Sequence, residues 1–274
     1  MPHATRTWRL LRLAATLIAG LAATLAIAAG ERFGRRPRTT PRVVRWWHGR
    51  VCRDLGLRVE VIGTPLPNAL LVVNHVSWLD IPALGAQGEI DFLSKAEVRD
   101  WPVVGWMATV AGTLFIERGA HQTAGLAEAI GARVRAGRPV AIFPEGTTSD
   151  GTALLRFHPR LFASGQQAGV VIQPVALRYG TGPAPDPIAP FIGRDTLLAH
   201  LARVLGHGPL DVRIQFLAPI DPSQTDRRQL AAQARAAIAR ALGLTGEHPP
   251  RIPGEGAPCR ETPASARRSL VPAQ

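Results

Sequence analysis

Cysteine is scarce in this chain, which holds only Cys52 and Cys259 among 274 residues. The two lie far apart in unrelated contexts, so they form neither a disulfide framework nor the spacing of a metal site. We therefore expect a reducing compartment, and no metal or redox cofactor. With 46% hydrophobic and 19% charged residues, the composition excludes general disorder and is not that of a collagen or a coiled coil.

Lysine is nearly absent, since Lys95 is the only one. Lys and Arg together number 32 against 20 Asp and Glu, which gives a formal net charge of +12. Because arginine supplies almost all of the positive charge, a genome-wide bias in composition explains the net charge as well as an anionic partner does. We expect no nucleic-acid partner, whereas a phospholipid surface remains compatible with the charge.

The amino terminus has an uncharged run at residues 13–30, flanked by arginines on both sides. Its length just reaches that of a membrane-spanning helix, but its alanine content makes it only weakly apolar. Three interpretations stay open: a retained spanning helix, an interfacial helix, and a signal peptide cleaved after Ala26-Ile27-Ala28. More arginines follow the run than precede it, so the positive-inside rule predicts a cytoplasmic (inner) membrane protein whose C-terminal bulk faces the cytoplasm.

Four regions follow from the pattern along the chain. Residues 1–30 are predicted to be a membrane anchor and 31–56 an amphipathic helical region that contains Trp46 and Trp47. These tryptophans suit either a membrane interface or packing on the core. Residues 57–245 form the main domain, and the Pro-rich residues 246–274 are expected to be a disordered tail.

Within residues 57–245, seven short apolar runs alternate with helical stretches. The runs read LRVEVIG, ALLVVNH, EIDFLSK, GTLFIER, RPVAIFPEG, GVVIQPVALRY and LDVRIQFLAPI. Strands that alternate with helices favour an α/β fold with a mostly parallel central sheet flanked by helices. Pro174 interrupts the sixth run, which indicates an edge strand or a bulge.

Polar side chains suited to acid–base chemistry follow the second apolar run. His75 and Asp80 lie directly after an apolar strand, where side chains of an α/β fold face an open crevice. A histidine there accepts a proton near neutral pH, and a carboxylate fixes its tautomer. The alternative is structural: Ser77-x-x-Asp80 also resembles a helix capping box, which would leave His75 exposed in a turn.

Two further strand ends carry candidate binding residues. Glu145, Gly146, Thr147 and Thr148 form a polar loop after the fifth run, where backbone N–H groups and hydroxyls can approach an anion. Arg118 ends the fourth run and could bind a phosphate or carboxylate in a bidentate manner. A capped turn and a solvated arginine are the structural alternatives.

Four segments resemble, in their order along the chain, the four sequence blocks of the glycerolipid acyltransferase family, over about residues 70–176. They contain His75 and Asp80, then Arg118, then Glu145 to Thr148, and finally Pro174. The resemblance implies that His75 is the general base for an acceptor hydroxyl and that Asp80 orients it. It assigns acceptor binding to Arg118, Glu145, Gly146 and Thr147. It further implies a membrane lipid acceptor and acyl-carrier protein or acyl-CoA as the donor, with no cofactor and no covalent acyl-enzyme.

One position departs from the family pattern. Members that act on phosphate-bearing acceptors usually read Phe-Pro-Glu-Gly-Thr-Arg-Ser, whereas this chain has Thr148 in place of the arginine. The string FPEGTTSDG resembles the lyso-ornithine lipid acyltransferase branch, so Thr148 is predicted to help select that acceptor. Lysophosphatidate is the second candidate acceptor. A His-Asp lipid hydrolase and a non-enzymatic membrane adaptor are the alternatives from other functional classes.

Overall fold

The computed structural model describes residues 3–35, 37, 39–116, 123–223 and 225–244. It contains a seven-stranded sheet flanked by helices, so the predicted α/β class is confirmed, and each of the seven apolar runs contains one strand. The strands are β1 Leu57–Ile62, β2 Ala69–Val73, β3 Asp91–Lys95, β4 Leu114–Ile116, β5 Val140–Ile142, β6 Val171–Tyr179 and β7 Leu210–Phe216. The predicted tail, 246–274, lies outside the described residues.

Eight α-helices and one 3₁₀ helix are present in the described part of the chain. The α-helices are α1 His3–Arg32, α2 Thr40–Leu55, α3 Asp80–Gly85, α4 Val104–Ala111, α5 Thr123–Arg135, α6 Pro159–Gln167, α7 Leu197–Gly206 and α8 Arg227–Leu242. The 3₁₀ helix spans Ala96–Asp100, and residues 101–103 connect it to α4.

The strand order is β1-β7-β6-β2-β5-β3-β4, and every neighbouring pair except β6 with β7 is parallel. The carboxyl ends of β2, β3, β5 and β6 therefore share one edge of the sheet, which we call the carboxyl edge. Because β7 is reversed and β1 runs parallel to it, β1 begins at this edge and ends at the opposite one. Loops at the carboxyl edge are where α/β folds place their binding sites.

The core explains why the strand runs are almost wholly apolar. All five residues of β2 are buried, since helices cover both faces of the sheet. Leu71 and Val73 face the layer that includes α2 and α3, whereas Leu70 and Val72 face α5, α6 and α8. Alternate side chains thus enter two separate apolar clusters, as the pleat of a strand requires.

The expectation of an edge strand at Pro174 is wrong, but the expected bulge is present beside it: between the pair Val175–Phe216 and the bridge Ile172–Ile220 the register shifts by one residue. Pro174 lies inside β6, which is flanked by β2 and β7, and it pairs in register with Val72. The ladder between β6 and β7 ends at the pair Val175 and Phe216. Pro174 comes just beyond that end, where its carbonyl accepts from Leu217 N at 2.9 Å. Because proline has no N–H to donate in return, the Leu217 carbonyl accepts from Gln173 Nε2 at 3.3 Å instead.

The amino-terminal helix α1 packs along α2 and joins the main domain through a buried polar cluster. Asp54, which is fully buried, accepts from the Thr16 hydroxyl at 2.5 Å and pairs with Arg12 at 2.9 Å. Arg9 donates to the backbone carbonyl of Leu55 at the end of α2. Over the described residues, α1 is the one helix long and apolar enough to cross a membrane.

The two tryptophans of α2 divide between their two predicted environments. Trp47 is partly buried against the core and donates from Nε1 to Thr16 O at 2.9 Å. Trp46 is exposed. One face of α2 therefore anchors α1 to the domain, and the other remains open to the surroundings.

Candidate active site

His75 and Asp80 meet directly at the carboxyl edge, in the turn between β2 and α3. His75 Nδ1 lies 2.8 Å from Asp80 Oδ2. A carboxylate can only accept, so Nδ1 carries the proton and Nε2 keeps its lone pair. The Phe143 ring stacks on the imidazole, with ring centres 4.1 Å apart. This arrangement gives a histidine of fixed tautomer and orientation, with Nε2 available as a base.

Asp80 is held by four donors although its side chain is fully buried. Its Oδ2 accepts from His75 Nδ1, from Val76 N at 2.8 Å and from Ser77 N at 3.0 Å. Its Oδ1 accepts from the hydroxyl of Tyr179 at 2.7 Å. These hydrogen bonds compensate for the burial of the carboxylate.

The capping alternative for this turn is only half realised. Asp80 reaches back to the backbone N–H of Ser77, as the acidic residue of a capping box does. The reciprocal bond is missing, because Ser77 Oγ is buried without a hydrogen-bond partner among the described residues. The same carboxylate binds the His75 ring, so His75 is not simply exposed in a turn.

Tyr179 is a site residue that the sequence-based analysis did not identify. It is the only tyrosine of the chain and ends β6 at the carboxyl edge. Burial, together with the charge of Asp80, raises the pKa of its phenol well above the ordinary value. Its position at the carboxyl end of a predicted strand was the signal that could have identified it.

We expect Tyr179→Phe to lower kcat by about three- to tenfold while KM stays nearly constant. Asp80 keeps its three other donors, so kcat reflects only part of the roughly 1.5–3 kcal/mol that a hydrogen bond to a charged acceptor contributes. The substitution removes one donor to Asp80 and keeps the ring in the core. Steady-state kinetics measures kcat and KM, and urea unfolding measures whether the retained ring keeps the variant stable. An unchanged kcat would show that the phenol only supports the fold.

The loop after β5 holds the backbone of His75 at both ends. His75 N donates to Glu145 Oε1 at 2.7 Å. Its carbonyl accepts from Ser149 N at 2.8 Å and from Ser149 Oγ at 3.3 Å. The first and third blocks are therefore one structural unit, although 70 residues separate His75 from Glu145 along the chain.

Glu145 uses both carboxylate oxygens for backbone contacts. Besides the His75 bond, Oε2 accepts from Leu155 N at 2.8 Å, and the residue is only 3% exposed. These contacts position His75 and close the loop. The acceptor-binding role implied by the resemblance stays a prediction. Burial raises the pKa of Glu145 from 4.5 to about 7, and the His75 and Leu155 N–H donors oppose the rise only in part.

This raised pKa predicts a specific pH dependence of stability. Between pH 4.5 and about 7 the folded protein holds the Glu145 proton more tightly than the unfolded chain does. The contribution of this proton to the free energy of unfolding is thus complete below pH 4.5 and is lost as the pH rises through about 7. Glu145→Gln removes the titration, so wild type should lose stability relative to this variant over that range, by about 3 kcal/mol at most.

Urea unfolding of wild type and Glu145→Gln at several pH values measures that difference. Glu128→Gln is the matched control, because Glu128 is exposed on α5 and lies outside the site. A stability difference between wild type and Glu145→Gln that does not change with pH would contradict the raised pKa.

The other predicted binding residues differ in their surroundings. Gly146 has φ +70°, a conformation that favours glycine, and it lies beside the ring of His158. Thr147 is exposed. Thr148 is partly buried and donates its hydroxyl to Phe191 O. Arg118 lies outside the described residues, because the description stops at 116 and resumes at 123.

Residues 186–196 form a segment beside the His75 turn and the loop after β5. The sequence-based analysis did not predict this segment as part of the site. Phe191 N donates to Val76 O at 3.0 Å, one residue from the catalytic candidate His75. Arg203 pairs with Asp195 at 2.7 Å and fixes the far end of the segment. Thr148 thus joins the loop after β5 to a wall that faces the His75 turn.

Comparison with known proteins agrees with this geometry. A family model described as Acyltransferase matches residues 58–178. A lyso-ornithine lipid O-acyltransferase of Pseudomonas aeruginosa is 46% identical over 241 residues, which cover 85% of this chain and 93% of that protein. A 1-acyl-sn-glycerol-3-phosphate acyltransferase of Neisseria meningitidis is 36% identical and covers 64% of this chain and 69% of its own length.

The fold also has a counterpart among solved structures. The crystal structure of the 1-acyl-sn-glycerophosphate acyltransferase from Thermotoga maritima aligns with a TM-score of 0.59 and covers 87% of this chain and 96% of its own. At 22% identity the match is evidence for the fold alone.

Proposed function

The chain belongs to the acyltransferase family, and we propose that it transfers a fatty acyl group from a thioester donor to the free hydroxyl of lyso-ornithine lipid. The observation that carries the reaction type is the contact of 2.8 Å between His75 Nδ1 and Asp80 Oδ2, which leaves Nε2 as a base. The 46% identity with a lyso-ornithine lipid O-acyltransferase over most of the chain supports the acceptor.

The residues at the site support direct transfer without an acyl-enzyme. His75 Nε2 takes the proton of the acceptor hydroxyl as its oxygen attacks the thioester carbonyl carbon. The C–S bond then breaks, and the imidazolium returns the proton to the departing thiolate. Asp80 stabilises the imidazolium while it exists. The donor we propose is acyl-carrier protein or acyl-CoA, and the transfer needs no further cofactor.

Thr148 provides the structural support for an acceptor other than a phosphate monoester. Its hydroxyl is engaged by the Phe191 carbonyl, so the position offers no cation to a head group. An arginine there would supply the bidentate donor that phosphate recognition favours. Lysophosphatidate remains the second candidate, because relatives named as 1-acyl-sn-glycerol-3-phosphate acyltransferases also match the chain.

We further propose that α1 lies along the surface of the cytoplasmic membrane, with the catalytic domain in the cytoplasm beside its thioester donor. Arg12 and Thr16 point into the domain, where they satisfy the buried Asp54. A helix crossing the bilayer at this point would carry α2 and its arginines with it, at high cost. Removal of α1 as a signal peptide would leave Asp54 buried without these partners.

The decisive experiment uses detergent-purified full-length protein and labelled donors. Acyl transfer from acyl-carrier protein and from acyl-CoA is measured to lyso-ornithine lipid and to lysophosphatidate side by side, with His75→Ala as the blank. Formation of ornithine lipid without phosphatidate supports the proposal. Phosphatidate alone would overturn the acceptor. Release of free fatty acid without transfer would indicate a hydrolase, and no reaction with any donor would favour an adaptor.

We expect Thr148→Arg to raise the ratio of phosphatidate to ornithine-lipid synthesis by about tenfold, the effect of one charge-assisted hydrogen bond. The variant also loses the contact with Phe191, so total activity falls. Thr152→Arg is the matched control, since Thr152 is exposed and lies four residues farther along the loop. An unchanged ratio would show that position 148 does not read the head group.

A further inference from the structure

An exposed apolar segment at residues 101–106 stands apart from both the core and the site. Four large apolar side chains are exposed within these six residues: Trp101 at 46%, Val103 at 55%, Val104 at 48% and Trp106 at 38%. Soluble surfaces rarely gather so many large apolar groups in one short segment unless they bind a partner. The sequence-based analysis did not assign this segment any role.

The backbone of the segment is strained in a way that presents these side chains outward. Val103 has φ +63° and ψ −55°, and Val104 N donates to Pro102 O at 2.6 Å. This is a γ-turn of the rare, strained form, with a β-branched residue at its centre. Such conformations cost about 1–3 kcal/mol and are found where function maintains them.

The position of the segment indicates what it contacts. It follows β3 and the 3₁₀ helix Ala96–Asp100, so it projects from the carboxyl edge, where His75 also lies. The helix that it begins, α4, packs against α1. The exposed apolar face of α1, which includes Trp8 and Leu11, lies at the same edge, because Arg9 binds the carbonyl of Leu55 just before β1.

From these observations we propose that residues 101–106 form a second membrane contact, inserting into the same lipid surface as α1 and opening the His75 crevice onto it. Tryptophans favour the boundary between head groups and acyl chains, and the valines reach below it. A lysolipid could then pass from the bilayer to His75 without crossing water. This contact is separate from α1 and from the choice of acceptor.

Charge and size argue against two protein partners. The adjacent turn mixes Arg99 with Glu97 and Asp100, so it offers no cationic surface to an acidic carrier protein. Arg99 also lies over the Phe115 ring, 4.7 Å from its centre. Six residues cannot supply the roughly 800 Å² per partner that a stable interface between two copies needs.

A spin label tests the proposal without requiring turnover. Val104→Cys is labelled in full-length protein that also carries Cys259→Ser, reconstituted with vesicles of phosphatidylethanolamine and phosphatidylglycerol. Cys52 is buried, and burial raises the pKa of its thiol to about 12, so it stays unreactive. Ile62→Cys is the matched control, since Ile62 is 47% exposed and ends β1 at the opposite edge.

We expect the label at position 104 to collide more with oxygen, which partitions into lipid, than with a water-soluble nickel complex, and the label at position 62 to do the reverse. Equal water access at both positions would overturn the proposal. Protection of position 104 from both reagents would overturn it too, because it would indicate a protein partner such as a second copy.

A kinetic measurement provides an independent check. Trp101→Ser with Val104→Ser should raise KM for vesicle-embedded lysolipid by about tenfold, while kcat for acceptor in detergent micelles stays within twofold. Ile62→Ser should leave both unchanged. Because the label measurement uses no acceptor, failure of the proposed lyso-ornithine lipid activity would leave the membrane contact testable. An unchanged KM in the double variant would contradict the contact.

Discussion

Replacement of His75 by alanine should lower acyl transfer by about 10³-fold or more, because it removes the general base together with the partner of Asp80. His75 Nδ1 is fixed by Asp80 at 2.8 Å, and its backbone is held by Glu145 and Ser149. The side chain is partly exposed and stacks on Phe143, but it is not one of the buried core residues. The variant should therefore stay folded and membrane-bound, as circular dichroism and vesicle flotation can verify.

Two additions make the His75→Ala result specific. His207→Ala is the matched control, because His207 is exposed after α7 and should be substituted without loss of activity. Added imidazole should restore part of the transfer in His75→Ala, since the cavity left behind admits a small base. Undiminished turnover by His75→Ala would remove the assigned base and the mechanism with it.

Asp80→Asn should produce an effect of similar size, a loss of kcat of about 10³- to 10⁴-fold, as expected when the histidine of such a pair loses its fixed tautomer. The amide keeps the size of the carboxylate but has only one acceptor oxygen. It cannot accept from His75, Val76, Ser77 and Tyr179 together, so one buried donor is left unsatisfied. The free energy of unfolding should fall as well, by about 1–3 kcal/mol.

Asp91→Asn separates the catalytic effect of Asp80→Asn from the structural one. Asp91 is a buried carboxylate paired with Arg133 and Arg138 at 3.4 Å, and it begins β3 at the edge of the sheet opposite to His75. We expect its variant to lose stability and to keep kcat. If both variants lose stability but only Asp80→Asn loses kcat, Asp80 acts on His75 itself. Equal loss of kcat in both would reduce the Asp80 effect to general destabilisation.

The sequence-based analysis located the strands and the turn that joins His75 to Asp80 because each depends on local chemistry. Apolar runs such as ALLVV are strands buried on both faces, and they are recognisable without their neighbours. His75 and Asp80 are five residues apart, so one turn brings them together. Of the two interpretations of Pro174, the edge strand was wrong, because only the pairing of β6 with both β2 and β7 shows that the strand is central.

Contacts between distant parts of the chain decided the remainder of the site. Tyr179 reaches Asp80 across 99 positions, and Thr148 reaches Phe191 across 43. The sequence alone determined the α/β class, the seven strands and the His75–Asp80 pair, because periodicity and short-range spacing encode them. Only the tertiary structure decided the role of Tyr179, the backbone contacts of Glu145 and the outward placement of residues 101–106, because each depends on how strands and helices order themselves in space.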